Sequence, residues 1–163
     1  MFRRELLRCK IPLEFVHVGK STKQNLETWI QQEIEGKCNV EGFIRPNSTN
    51  VLTYSSGRID GHRVLFDVGY ECQVCSPVEG QMITCIVENA TKAGIRAKMK
   101  TRDEPSPVDV FCARDHHHNN SYFLSLKEGD EITVRVIGQR YELNDPMISI
   151  IAQVIHPDRL KKD

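Results

Sequence analysis

Apolar residues recur along this chain with two different periods, and the change from one to the other marks out its elements. Between Leu6 and Val18 they follow no 3.6-residue spacing and Pro12 interrupts the run, so the segment reads as extended. Leu26, Trp29, Ile30 and Ile34 then fall on one helical face. Ser21 with Gln24 makes a capping box ahead of them, and Gly36 stands where a helix stops. Extended runs follow at Cys38 to Arg45, Val51 to Tyr54 and Arg63 to Cys75, separated by the polar turns Pro46-Asn47-Ser48-Thr49-Asn50 and Ser55-Ser56-Gly57. The expected first domain, residues 1–77, is therefore α+β, one helix on an antiparallel sheet.

Pro and Gly in Ser76-Pro77-Val78-Glu79-Gly80 break the strand pattern, and a new set of alternating runs begins at once, which sets a second domain at residues 78–163. Strands are expected at Gln81 to Asn89, Gly94 to Lys100, Val108 to Arg114, Glu131 to Ile137 and Met147 to Ile155. Five strands in roughly 80 residues predict an all-β OB-fold barrel. The turn Lys127-Glu128-Gly129-Asp130, feeding the alternation of Ile132, Val134 and Val136, agrees with that closure.

Composition narrows the function classes. A chain of 163 residues, 39% hydrophobic and 27% charged, has the makeup of a globular protein. At this size about 70% of the unfolded surface can be buried, so neither disulfide nor metal is required to hold the fold. No stretch approaches the ~20 apolar residues of a membrane helix. Arg3, Arg4, Glu5 and Arg8 also interrupt any apolar run at the start, so neither a membrane nor a secreted protein is expected. The cysteines are spaced unlike a disulfide scaffold and read as reduced, buried thiols of an intracellular, reducing compartment. Cys72-Gln73-Val74-Cys75 lies within a strand run, where positions i and i+3 point to opposite faces, so its sulfurs diverge.

A formal net charge of +0 excludes attraction to nucleic acid through bulk basicity, so any such binding rests on local charge. One strand supplies it. Ile95, Ala97 and Met99 alternate with Arg96, Lys98 and Lys100, with Lys92 before them and Arg102 after, all ahead of the first acid at Asp103. Cations spaced roughly 7 Å apart on the second strand of such a barrel suit the phosphates of an extended single strand. Stacking groups are few: Phe111, Tyr122, Phe123 and Tyr141. Asp115-His116-His117-His118-Asn119-Asn120 contains adjacent imidazoles that cannot all converge on one ion, and reads as a polar loop, not a metal site. No phosphate-binding loop, nucleophile elbow or spaced carboxylate set is present, and no cofactor is expected. The chain reads as a binding protein and not as an enzyme.

Glu33-Ile34-Glu35-Gly36-Lys37-Cys38 at the helix end, and Tyr70-Glu71-Cys72-Gln73-Val74-Cys75-Ser76-Pro77-Val78-Glu79-Gly80-Gln81 at the junction, resemble the stalk subunits of multisubunit DNA-directed RNA polymerases. That family includes the seventh-largest chain of eukaryotic polymerase II and its archaeal counterpart, and the resemblance covers nearly the whole chain. Val136-Ile137-Gly138-Gln139-Arg140-Tyr141-Glu142-Leu143-Asn144-Asp145 is most similar to the compact versions of nucleocytoplasmic large DNA viruses. The resemblance implies an N-terminal tip domain that docks on the polymerase core, an OB-fold of the ribosomal-protein S-one type facing nascent single-stranded RNA, and a small helical partner subunit. It also implies a nucleus as the site of action, or a virion or viral factory.

Carried over by residue, the resemblance assigns RNA contact to Lys92, Arg96, Lys98, Lys100, Arg102 and Arg114. Core docking falls to Pro46, Asn47, Ser48, Thr49, Asn50, Ser55, Ser56, Gly57 and Arg58. Ala93-Gly94-Ile95-Arg96 departs from the aromatic-Gly-x-aromatic pattern of strong S-one-type binders and leaves charge as the main source of affinity. Apolar residues at Ile148, Ile150, Ile151, Val154 and Ile155 exceed one barrel face, as a partner surface requires. The alternative is a free-standing OB-fold RNA-binding factor in translation or RNA decay.

Overall fold

The computed structural model describes residues 1–161 and divides the chain into two compact units, Met1–Ser76 and Pro77–Asp163. In the first, strand β1 (Phe2–Glu14) is followed by helix α1 (Thr22–Glu33) and strands β2 (Cys38–Asn39), β3 (Gly42–Ile44), β4 (Asn50–Tyr54), β5 (Arg58–Asp60) and β6 (Arg63–Cys75). The long strand β6 is the spine. β1 runs antiparallel to it from Phe2↔Cys75 to Glu14↔Arg63, while β5, β4 and β3 lie end to end along its other side. Strict alternation along β6 sends Val64, Phe66, Val68, Tyr70 and Val74 into a core that Leu26 and Ile30 of α1 complete.

Several expectations are corrected in this unit. Cys38 to Arg45 is not one strand but a tight β2–β3 hairpin. The Asn39 side-chain oxygen accepts the Glu41 amide at 2.8 Å, and a Cβ on Gly42 would lie 2.4 Å from the Cys75 carbonyl oxygen. The capping box is absent. Ser21 makes no side-chain cap, and the Thr22 hydroxyl instead accepts the Gly19 amide at 2.8 Å and donates to the Gly19 carbonyl at 2.7 Å. The opening strand begins at Phe2 and not Leu6, and Arg58 is the first residue of β5 and no part of a turn.

The second unit is a closed five-strand barrel, OB-like, of β7 (Met82–Ala90), β8 (Gly94–Met99), β9 (Val108–Ala113), β10 (Glu131–Arg140) and β11 (Ile148–Ile155), in the order β10-β11-β9-β8-β7 with β10 pairing back onto β7. β11 runs parallel to β9; the other pairings are antiparallel. Ile83, Val87, Ala97, Val110, Val134 and Ile150 point inward and fill it. The expected His/Asn loop is structured: Arg114–His116 forms a 3-10 turn and Ser121–Ser125 a short helix, α2. Of the apolar residues taken as surplus on β11, Ile148, Ile150, Val154 and Ile155 are all buried, and Ile151 alone stands outside at 48% exposure. No helix among the described residues is long and apolar enough to cross a membrane.

Candidate nucleic-acid interface

The alternation along β8 divides its residues as its sequence dictates: Ile95, Ala97 and Met99 are buried, while Arg96, Lys98 and, just beyond the strand, Lys100 face outward. Strands β9 and β7 on either side, and β10 beyond β7, bring acids to the same outward face. Arg96 Nε and Nη2 donate to the two carboxylate oxygens of Asp109 on β9 at 3.2 and 2.9 Å, Lys98 Nζ lies 3.0 Å from Glu88 on β7, and Lys100 Nζ lies 2.6 Å from Glu131 on β10. The carboxylate bond raises the Arg96 guanidinium above its ordinary pKa. The row is therefore one of side-by-side ion pairs and not a ladder of single sign. Lys92, Arg102 and Arg114 are exposed and form no ion pair among the described residues. They are the cations whose fields are uncompensated by a direct partner.

Beside the Arg96–Asp109 pair the surface changes character. Phe111, directly opposite Arg96 in the β8–β9 register, is 40% exposed, and Ile151 lies next to it across the β9–β11 pairing. Gly138, opposite Ile151 on β10, carries no side chain, and Asn89 flanks Arg96 on β7. A groove of about 450 Å³ runs here between Arg96, Asp109, Phe111, Asn89 and Ser149. Of the other aromatic candidates, Phe123 is buried and Tyr122 packs near His156 at a ring separation of 5.0 Å.

His117 is the residue that reading the sequence missed. It is buried, stacked on Phe123 at 4.1 Å, and bonded through both ring nitrogens. Nε2 accepts the Val154 amide at 2.8 Å, which places the proton on Nδ1, where the Ala113 carbonyl accepts it at 2.6 Å. Burial holds this imidazole below its ordinary pKa, against the opposing pull of the Ala113 carbonyl. Three histidines in an Asn-rich run gave no sign that the middle one is internal.

In the first unit, the turn Pro46–Asn50 is organised by Glu35, whose carboxylate accepts the Asn47 amide at 2.9 Å, the Thr49 amide at 3.3 Å and the Thr49 hydroxyl. Ser55 accepts the Asp67 amide at 3.0 Å, so the second turn is anchored to β6. The exposed apolar side chains lie elsewhere. Leu6 and Leu52, 66% and 49% exposed, border with Gly69 a small groove of about 170 Å³ on the outer sheet face, and a separate, more polar groove of about 500 Å³ runs between Arg8, Lys10, Thr53 and Asp67. Cys72 and Cys75 are both buried, and burial pushes their thiols up to about 11. Neither is a nucleophile at neutral pH.

This chain is similar over most of its length to three proteins named as RNA polymerase subunits. It is 26% identical over 150 residues to a protein of Acanthamoeba polyphaga mimivirus provisionally named a DNA-directed RNA polymerase subunit, covering 80% of this chain and 72% of that one. It is 28% identical to DNA-directed RNA polymerase II subunit 7 of Arabidopsis thaliana, over 87% of this chain and 86% of the relative. It is 23% identical to DNA-directed RNA polymerase II subunit RPB7 of Glycine max, over 89% and 88%. No protein-family model matches the chain. Among solved structures, an uncharacterized protein from Methanocaldococcus jannaschii overlaps 51% of this chain at 19% identity with a TM-score of 0.39.

Proposed function

We propose that this chain is a non-catalytic stalk subunit of a DNA-directed RNA polymerase, docking through residues 1–77 and meeting nascent single-stranded RNA with residues 78–163, of which the last two lie outside the described residues. The observation that carries the reading is the similarity to named polymerase subunits over 80 to 89% of the chain, which spans both compact units. The place of action is then a nucleus or a site of viral transcription.

Docking uses the tethered turns at Pro46–Thr49 and Ser55–Gly57, with Asn50 and Arg58 at the starts of the strands that follow them, together with the Leu6–Leu52 surface around Gly69, which offers apolar area for the core or for a small helical partner. RNA contact uses Lys92, Arg102 and Arg114 as uncompensated cations and Arg96, Lys98 and Lys100 as paired ones. The paired cations are held by carboxylates in exposed ion pairs of about 0–1 kcal/mol, so they add little to the charge RNA meets until the acid is removed.

Purification of the tagged chain from its own or infected cells at moderate salt, with mass spectrometry of what co-elutes, tests the assignment. Large polymerase subunits and one small helical protein are expected. Ribosomal or decay factors, or the chain alone, would overturn it in favour of a free-standing RNA-binding factor.

A further inference from the structure

Building on the reading that the barrel meets single-stranded RNA, we propose that the groove beside Phe111 is a guanine site, with the base laid on Phe111 and its O6 and N7 on the outer edge of Arg96. The chemistry starts from how Arg96 is held. Asp109 takes Nε–H and one Nη2–H in a side-on fork. The end of the guanidinium keeps two parallel N–H donors, on Nη1 and Nη2, in a fixed plane. Two parallel donors match the adjacent O6 and N7 acceptors of guanine. Adenine sets a donor beside N7, and the pyrimidines offer no such acceptor pair.

The platform adjoins that fork. Phe111 sits opposite Arg96 in register and half-exposed, Ile151 extends the apolar surface by one residue, and Gly138 leaves its far side open. A groove with one exposed aromatic face and a polar rim at Asn89 and Ser149 suits a planar ring better than a protein's apolar face, which needs more area. A volume of about 450 Å³ admits a nucleobase with its sugar. Asp109 is a positioning residue here, since it fixes the fork and does not face the base.

The test is fluorescence anisotropy of the full chain, at one salt concentration, with short oligouridine carrying at its centre uracil, adenine, guanine or 7-deazaguanine. The guanine oligomer should bind at least about fivefold more tightly than the uracil or adenine ones, and 7-deazaguanine should lose most of that gain. Phe111→Ala should lower guanine-oligomer affinity at least about fivefold, with Phe111→Trp restoring it. Arg96→Lys, which keeps the charge but removes the fork, should abolish the preference. Equal binding of all four oligomers overturns the guanine site while leaving RNA contact standing, with Arg96 then taking phosphate. A preference that survives both Phe111→Ala and Arg96→Lys places base reading elsewhere and also overturns it. Loss of co-purifying polymerase subunits in Phe111→Ala, with RNA affinity intact, would make the groove a protein contact. No binding of any oligomer removes the guanine site and the RNA reading together.

Discussion

His117 reaches across the barrel end to Val154, accepting its amide at 2.8 Å, and so ties the loop after β9 to the last strand. The bond exists only for the neutral imidazole, because a protonated Nε2 has no lone pair to offer.

Acidification should therefore weaken the fold through this one residue. The folded pKa lies below the ordinary 6.5, so the unfolded chain binds the proton first. The stabilisation is complete above about pH 6.5 and is lost as pH falls toward the folded pKa. Urea unfolding at a series of pH values should show that decline in the wild type. His117→Ala should be less stable by about 2–4 kcal/mol at neutral pH, leaving two buried polar groups unpartnered, and should lack the His117 part of the decline.

The pairing of β8 with its neighbours makes a quantitative claim about salt. With Lys92, Arg102 and Arg114 as the uncompensated cations, log affinity for single-stranded RNA should fall with log salt at a slope of about −2. Glu88→Gln and Glu131→Gln each release a lysine, so each should tighten binding and steepen the slope by about 0.7. Isothermal or anisotropy titrations across salt decide this, and unchanged slopes in both variants would mean the freed lysines do not meet phosphate.

Under the proposed docking, Leu6 and Leu52 are expected to bear on assembly and not on the fold. Both are exposed, so Leu6→Asp with Leu52→Asp should alter stability by no more than about 1 kcal/mol. The double variant should lose co-purifying core or partner subunits at moderate salt. Retention of the full complex would move docking away from the Gly69 groove.

Glu35, just past α1, joins the end of that helix to the turn after β3. Glu35→Ala removes the acceptor of the Asn47 and Thr49 amides and should cost about 1–2 kcal/mol in urea unfolding. Glu35→Gln keeps one acceptor oxygen and should recover part of that loss.

Period-two and period-3.6 spacing was enough to read which residues of α1 and β8 face inward, because those faces depend on local sequence alone. The electrostatics of β8 was not legible. Asp109 and Glu131 lie 13 and 31 residues from the cations they neutralise, and only strand register brings them alongside. The hairpin at Asn39–Gly42 hid inside an extended run for a related reason: the close approach of Gly42 to Cys75 belongs to tertiary structure. Phe111 stood among the stacking candidates, and only the register at β8–β9 placed it opposite Arg96. His117 gave no pattern at all.

The union of β1 with β6 ties Phe2 to Cys75 and leaves the other strands of that sheet dependent on β6. During synthesis the first residues of the chain thus have no backbone partner until the seventy-fifth has left the ribosome. A stretch that mixes arginines, a glutamate and a lysine with leucines must wait that long in the open, and its charges serve it there by discouraging pairing with the nascent strands of other ribosomes.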